Sequence, residues 1–368
     1  MARPGSTSRS APFDRERPFL PQLPPVALLS VAGAVPPHVA TQAEARALAG
    51  ELFTRRTSVF ERLAPVFDNA GIIKRHLVRP LDWYRDEHGW RARNAVYLEA
   101  AEALYVDAAT RALTEAGVDA DEVDALVTVS TTGIATPSLE ARVAGVMGWR
   151  PDAERVPVFG LGCAGGVTGL AIAARLAAAG KTVLFVTVEL CSTSIRLDKP
   201  SKANIVATAL FGDGAAACVL RGGDGGGVAQ VEGGAERLWP DTLGIMGWDV
   251  DDPGLGVIFD RAIPPFVEEN MADAVAGIRA KFGTDAPDRF TCHPGGAKVV
   301  QALETSLRLS DGALDHERAV LADHGNMSAP TVLFVLRRLL DAGFSGRTML
   351  LALGPGFTTS GLSLRVDA

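Results

Sequence analysis

One arrangement is written twice in this chain, and it constrains the fold more than any other feature. Gly162 and Cys163 open a helix of small residues that ends at Ala179-Gly180 and leads into the strand KTVLFVTVEL. Gly325 and Asn326 open NMSAPTVLFVLRRLLDAG, which ends at Ala342-Gly343 and leads into RTMLLALG, with the same interval between the bounding glycines. Upstream, TTGIATPSLEARVAGVMG and RFTCHPGGAKVVQALETS both read as a strand end, a proline and a helix. A duplication places equivalent elements about a pseudo-twofold axis, so Cys163 and Asn326 are expected to face one another across its centre. Two positions with one structural role and different chemistry suit a single site shared by two halves.

Around these units, apolar strand-like runs alternate with longer helical stretches. VALLSVAGAV opens the ordered part, AVYLEAAEALYVDAATRALTEAG follows as an amphipathic helix ending at Gly117, and VDALVTVSTTG is a buried strand entering a polar turn. The alternation predicts a layered α/β fold. At 368 residues the chain is too long for one simple core. The Gly-rich break RGGDGGG divides it, predicting an amino-terminal half over residues 26–222 and a carboxy-terminal half over 228–368. Residues 1–25 hold six prolines and mixed charge without the apolar segment of a signal peptide, and read as a disordered arm.

A net charge of −7 argues against nucleic acid as a partner. The four cysteines, Cys163, Cys191, Cys218 and Cys292, form no CxxC pair, so neither a metal site nor a disulfide framework is expected, and a cytoplasmic location suits them. The uncharged run over residues 156–174 has the length of a membrane span. Its five glycines favour a strand, a turn and a buried helix instead, so no integral membrane segment is expected.

Three residues stand where chemistry is easily built. Cys163 lies where strand gives way to helix, and the unpaired N–H groups of a helix start favour a thiolate there. His293 ends the strand DRFTC and precedes Pro294-Gly295-Gly296; an imidazole there can pair with a thiol and move protons. Asn326 is an amide expected at a helix start, where it can cap the helix or donate to a developing oxyanion. Read singly, each also fits a structural role: a buried core thiol, a surface or capping histidine, an ordinary N-cap. The set of three in matched places of a repeat is far more specific.

FGLGCAGG, ALFGDGAAA, CHPGGAKV, GNMSAPTVLFVL and LGPGF, in this order, resemble the signature blocks of type III polyketide synthases, the chalcone synthase family. The resemblance implies a thiolase fold, a five-layer αβαβα sandwich of two duplicated halves, working as a homodimer. It implies a catalytic triad of Cys163, His293 and Asn326. Cys163 would take an acyl starter, with His293 holding the thiolate as an ion pair. His293 and Asn326 would then stabilise the enolate formed when malonyl-CoA loses CO2, and the enolate would attack the acyl-cysteine. No cofactor is implied, since acyl-CoA and malonyl-CoA, the substrates, carry the activation.

The resemblance also assigns a substrate cavity. Phe211 matches the aromatic between the CoA tunnel and the reaction cavity, and Val257 falls near a second, usually aromatic, gatekeeper. Cys191 and Thr136 match cavity positions, Thr136 standing where plant members place a Met that reaches into the partner subunit. Gly354 and Pro355 belong to LGPGF, and Trp248, in IMGWDVDD, resembles the bacterial alkylresorcinol and alkylpyrone synthases, which accept long fatty-acyl starters. The cations that grip CoA in plant members are not at matching spacing. Arg55, Arg56, Arg62 and Lys74 are the candidates to replace them, and an acyl carrier protein is the alternative starter donor. The expected product is an alkylpyrone or alkylresorcinol. A single-condensation β-ketoacyl-carrier-protein synthase III and a non-catalytic thiolase-fold subunit are the rivals.

Overall fold

The computed structural model describes residues 24–54, 57, 59–196, 200–223 and 225–367. The arm expected over residues 1–25 lies, but for its last two residues, outside the described residues. A first set of strands comprises β1 (Val26–Ala34), β2 (Ala125–Val129), β3 (Glu154–Val158), β4 (Thr182–Leu190) and β5 (Asp213–Gly222), in the spatial order β1-β5-β4-β2-β3. A second set begins at β6 (Ala229–Leu238) and is interrupted by a separate hairpin, β7 (Met246–Asp251) and β8 (Gly254–Phe259). It resumes with β9 (Arg289–Cys292), β10 (Gly346–Gly354) and β11 (Thr358–Val366), in the order β6-β11-β10-β9.

The two sets are wired alike. β4 runs parallel to β2 and antiparallel to β5, which runs antiparallel to β1. In the same way β10 runs parallel to β9 and antiparallel to β11, which runs antiparallel to β6. Only β3 has no counterpart among the described residues. A short antiparallel pairing, Val26–Leu28 against Val231–Ala229, joins the sets into one nine-stranded sheet of two leaves.

Strand periodicity makes the layers. On β4, Val183 and Phe185 face one core while Leu184, Val186 and Val188 face another; on β10, Leu350 and Ala352 face the first of these while Met349, Leu351 and Leu353 face a third. The shared core holds α2 (Gly165–Ala177) and α6 (Thr331–Asp341), packed between the leaves. The outer face of the first leaf is covered by α1 (Trp90–Ala116), which stops at the left-handed Gly117, where Val118 N–H reaches back to Leu113 C=O. α4 (Ile263–Ala280) and α5 (Ala297–Leu307) cover the second. The result is the expected five-layer thiolase-type α/β sandwich. α3 (Lys202–Leu210) lies outside these layers, beside the hairpin.

The two central helices meet closely enough to exclude a side chain. A Cβ on Gly166 would sit 2.2 Å from the Ala329 carbonyl oxygen and 2.8 Å from Val332 Cγ1. Gly166→Ala is therefore expected to cost about 1–3 kcal/mol through overpacking, read as a lower urea midpoint of unfolding; an unchanged midpoint would show that the helices separate freely.

Candidate active site

The nucleophile candidate is presented by a tight turn. Cys163 occupies a single 3-10 turn, Gly162–Ala164, that runs directly into α2, as the sequence predicts. Gly162 has a φ of 48°, and a Cβ there would lie 2.7 Å from Pro355. Gly354 has a related role: its own Cβ would meet the Leu161 carbonyl oxygen and Ala164 at 2.6 Å. This corrects the expectation that Gly354 lines the cavity. It is the close-packing residue beneath the nucleophile turn, and Pro355 is the lining residue.

Asn326 departs from its expected setting. Helix α6 starts only at Thr331, because Ser328 turns the chain with a φ of 57° and Pro330 precedes the first helical residue. Asn326 instead bridges to Phe211 in backbone pairing, its N–H donating to Leu210 C=O at 2.8 Å and its C=O accepting from Gly212 N–H at 3.0 Å. Glycines permit this approach: a Cβ on Gly212 would lie 2.3 Å from His324 C=O. The carboxamide is held at both ends, Oδ1 accepting from Ser328 N–H at 2.8 Å and Nδ2 donating to Gly295 C=O at 3.2 Å. The second Nδ2 hydrogen faces the cavity on the side of the Cys163 sulfur.

His293 follows β9, its N–H bound to Leu351 C=O at 2.7 Å. The ring is buried, 4 % exposed, and neither ring nitrogen has a hydrogen-bond partner. Burial pushes its pKa down to about 3, so the imidazole is neutral. Burial likewise pushes the Cys163 thiol up to about 11, against hydrogen bonds from Ser328 and Asn326 that favour the thiolate. Desolvation thus works against the thiolate–imidazolium pair that the resemblance implies. Desolvation outweighs the helix start, whose effect of up to about 2 kcal/mol is too small to keep a thiolate in an apolar pocket.

One cavity brings Cys163, His293 and Asn326 together with Phe211, Cys191, Trp248, Val257 and Pro355. It has an inner volume of about 60 Å³ within about 690 Å³ of unoccupied space that includes its mouth. The wall opposite the triad comes from the hairpin, where Trp248 pairs with Val257 and Met246 with Phe259. The Trp248 indole N–H donates to Thr131 C=O at 3.0 Å, and the buried Arg196 guanidinium binds Asp251 at 2.6 Å, fixing the hairpin over the cavity. Cys191 is buried, and its thiol is raised well above the ordinary range by desolvation. Behind the wall, Glu189 accepts from Thr131 N–H and the Thr132 hydroxyl, and burial raises its carboxyl to about 7.

The remaining sequence expectations separate. Thr136 is exposed on the loop after β2, which Asn94 pins at Ile134, and it does not line this chain's cavity. Lys74 is drawn into a two-stranded pairing opposite Thr41, beside His76 and His324, and reaches neither cavity nor mouth. Arg62 does border a groove continuous with the cavity through Phe259, Gly295 and Val299. Arg55 and Arg56 lie outside the described residues. Sequence reading missed Ser328, whose only local signal is its place two residues after Asn326, and the hairpin residues Met246, Ile258 and Phe259. Among the described residues, no helix is long and apolar enough to cross a membrane.

Comparison with known proteins agrees with this geometry. Residues 25–224 match the N-terminal domain of chalcone and stilbene synthases, and residues 230–367 match the C-terminal domain of that family. A 1,3,6,8-tetrahydroxynaphthalene synthase of Streptomyces peucetius subsp. caesius is 40% identical over 90% of this chain and 91% of its own length. A putative chalcone synthase of Bacillus subtilis is 34% identical over 90% of this chain and 96% of its own. The crystal structure of 1,3,6,8-tetrahydroxynaphthalene synthase from Streptomyces coelicolor A3(2), a bacterial type III polyketide synthase, superposes with a TM-score of 0.88 at 30% identity, covering 93% of this chain and 99% of that one. With both domains of the family matched in order and relatives aligned along nearly the whole chain, this protein belongs to the chalcone and stilbene synthases and is a type III polyketide synthase, a condensing acyltransferase.

Proposed function

We propose that Cys163 accepts an apolar acyl starter, of the long-chain fatty-acyl class, and that the enzyme extends it with malonyl-CoA and closes it to an alkylpyrone or alkylresorcinol. The observation that carries this reading is the apolar wall facing Cys163, built from Met246, Val257, Ile258, Phe259, Ile263, Val299 and Leu353. In the loading step the neutral His293 takes the thiol proton as Cys163 attacks the starter thioester, and the donor's thiol leaves with a proton. In extension, the malonyl thioester carbonyl accepts from the Asn326 Nδ2 hydrogen that Gly295 does not hold and from the one N–H of the neutral His293 imidazole. Loss of CO2 leaves an enolate whose charge those donors stabilise away from water. The enolate carbon attacks the acyl-cysteine carbonyl and releases the Cys163 thiolate, which takes up a proton. The activation resides in the thioesters, and the proposal includes no metal or redox cofactor.

A second reading starts from malonyl units alone and closes to a polyhydroxynaphthalene. The small inner volume and the relatives named for 1,3,6,8-tetrahydroxynaphthalene favour it. Purified enzyme with malonyl-CoA and acyl-CoA starters of increasing length separates the two by mass spectrometry. Ring products that carry the long starters support the first reading. A naphthalene formed without any starter, at a rate that starters do not alter, overturns it. Under the first reading Val257→Phe narrows the wall opposite Trp248, so the longest starters are lost first, by about tenfold or more in kcat/KM.

We also propose a cytoplasmic homodimer. The exposed edge of β3, with Phe159 beside it and Ile134 nearby on the loop carrying Thr136, supports a second copy there.

A further inference from the structure

The strand that delivers His293 lies at an edge of the sheet. β9 pairs with β10 alone, and its other side meets no strand among the described residues. Backbone N–H groups alternate in direction along a strand. With His293 N–H turned inward to Leu351 C=O at 2.7 Å, the N–H of Cys292 points outward. Cys292 is fully buried, so no water reaches that donor, and leaving it unpaired would be strongly destabilising. Glu317 supplies the acceptor. Its Oε1 takes the Cys292 N–H at 2.9 Å, and its Oε2 takes Arg289 Nη2 at 2.9 Å. One carboxylate thus grips β9 at its first and last residues, from the side opposite Leu351. Glu317 belongs to the helix Asp315–His324, which leads through Gly325 directly into Asn326. It therefore ties the strand that carries the imidazole to the helix that delivers the amide.

Stability alone does not call for a carboxylate at this place. Glu317 is fully buried, and burial raises its carboxyl to about 7 even beside Arg289. An apolar side chain of similar length would fill the space without that cost. The catalytic neighbour gives the carboxylate a use. In a Ser-His-Asp triad a carboxylate orients the imidazole by accepting from the ring itself. Here neither ring nitrogen of His293 has a hydrogen-bond partner, so the aim of the ring follows from where its backbone is held. We propose that Glu317 is a positioning residue for His293, fixing the end of β9 through the Cys292 N–H and Arg289 so that the unpartnered ring stays aimed at the substrate carbonyl. The inference rests on the reading of His293 as a donor to the enolate.

The test follows malonyl-CoA decarboxylation by the full-length enzyme in two variants. Glu317→Met fills the space but accepts nothing, whereas the Glu317→Gln carbonyl can still take the Cys292 N–H. Glu317→Met is expected to lower kcat about tenfold or more with KM for malonyl-CoA within about twofold. Glu317→Gln is expected to recover most of that loss. Alkylation of Cys163 by iodoacetamide, which does not need the imidazole, is expected to keep the wild-type rate in both. In a His293→Ala background, adding Glu317→Met is expected to lower the residual kcat no further, because the group being positioned is gone. Wild-type kcat in Glu317→Met, even with a lowered Tm, makes Glu317 a stabilising residue only and overturns the proposal. An equal loss of alkylation, or an additive loss in the double variant, overturns it too. If Glu317→Met does not fold, Glu317→Asp, which withdraws the carboxylate by one carbon, carries the test. There kcat is expected to fall about threefold or more at unchanged KM, and wild-type kcat overturns the proposal. If His293→Ala itself decarboxylates at the wild-type rate, the enolate-donor reading fails and the positioning with it. If His293→Ala collapses while the Glu317 variants keep wild-type kcat, the positioning alone fails.

Discussion

Cys163→Ala is expected to abolish loading of any acyl starter, with turnover falling on the order of 10⁴-fold or more. The loss is seen directly as the missing acyl mass on the intact protein. The same variant is expected to keep decarboxylating malonyl-CoA, because the groups that stabilise the enolate are held in place by residues other than Cys163. Asn326 is held by Ser328 and Gly295, and His293 by its strand. Asn326→Ala is expected to show the reverse pattern, loading intact and decarboxylation down by about 10²–10³-fold. Loss of both half-reactions in Cys163→Ala, in a protein with unaltered thermal unfolding, would mean that the sulfur also orients malonyl-CoA.

The second large effect is a pH dependence. With burial pushing the thiol up to about 11 and the imidazole down to about 3, a neutral pair is expected in the free enzyme from pH 5 to 9. Only the thiolate is nucleophilic, so the reactive fraction rises tenfold per pH unit until the thiol's own pKa is reached. Alkylation of Cys163 by iodoacetamide is thus expected to accelerate about 100-fold between pH 7 and 9, with no step near neutrality. His293→Ala is expected to leave that slope in place and to collapse turnover, since the imidazole acts during attack and not before it. A rate of alkylation that is already maximal at pH 6 and falls in His293→Ala would instead establish a resting ion pair. Peptide mass spectrometry separates Cys163 from the buried Cys191, whose desolvated thiol is expected to react more slowly.

Much of the site was legible because its chemistry is written in short blocks. FGLGCAGG, CHPGGAKV and GNMSAPTVLFVL each carry one functional residue and the glycines that let the backbone come close, and all three residues reach one cavity. What escaped sequence reading depends on distant partners. Lys74 looked like a phosphate contact until its strand paired with residues 38–41 and turned it away. Gly354 looked like lining until its missing side chain proved to be filled by the Leu161–Ala164 backbone and Ala164. Asn326 looked like a helix cap, but the left-handed Ser328 delays α6 to Thr331 and frees the amide for the cavity. The hairpin wall is local in sequence, but Thr131 and Arg196 fix it over the cavity from distant segments, so no local pattern announces its place.

The sequence by itself determined the duplicated order of strands and helices, through apolar periodicity and matched glycine spacing, and it named the sulfur, imidazole and amide that meet. Only the tertiary structure decided what state those groups are in and what surrounds them. Protonation follows burial, and burial at Cys163 and His293 is set by neighbours contributed from both halves of the chain. A residue's identity is local, whereas its dielectric surroundings and its distance from a charge belong to the folded whole.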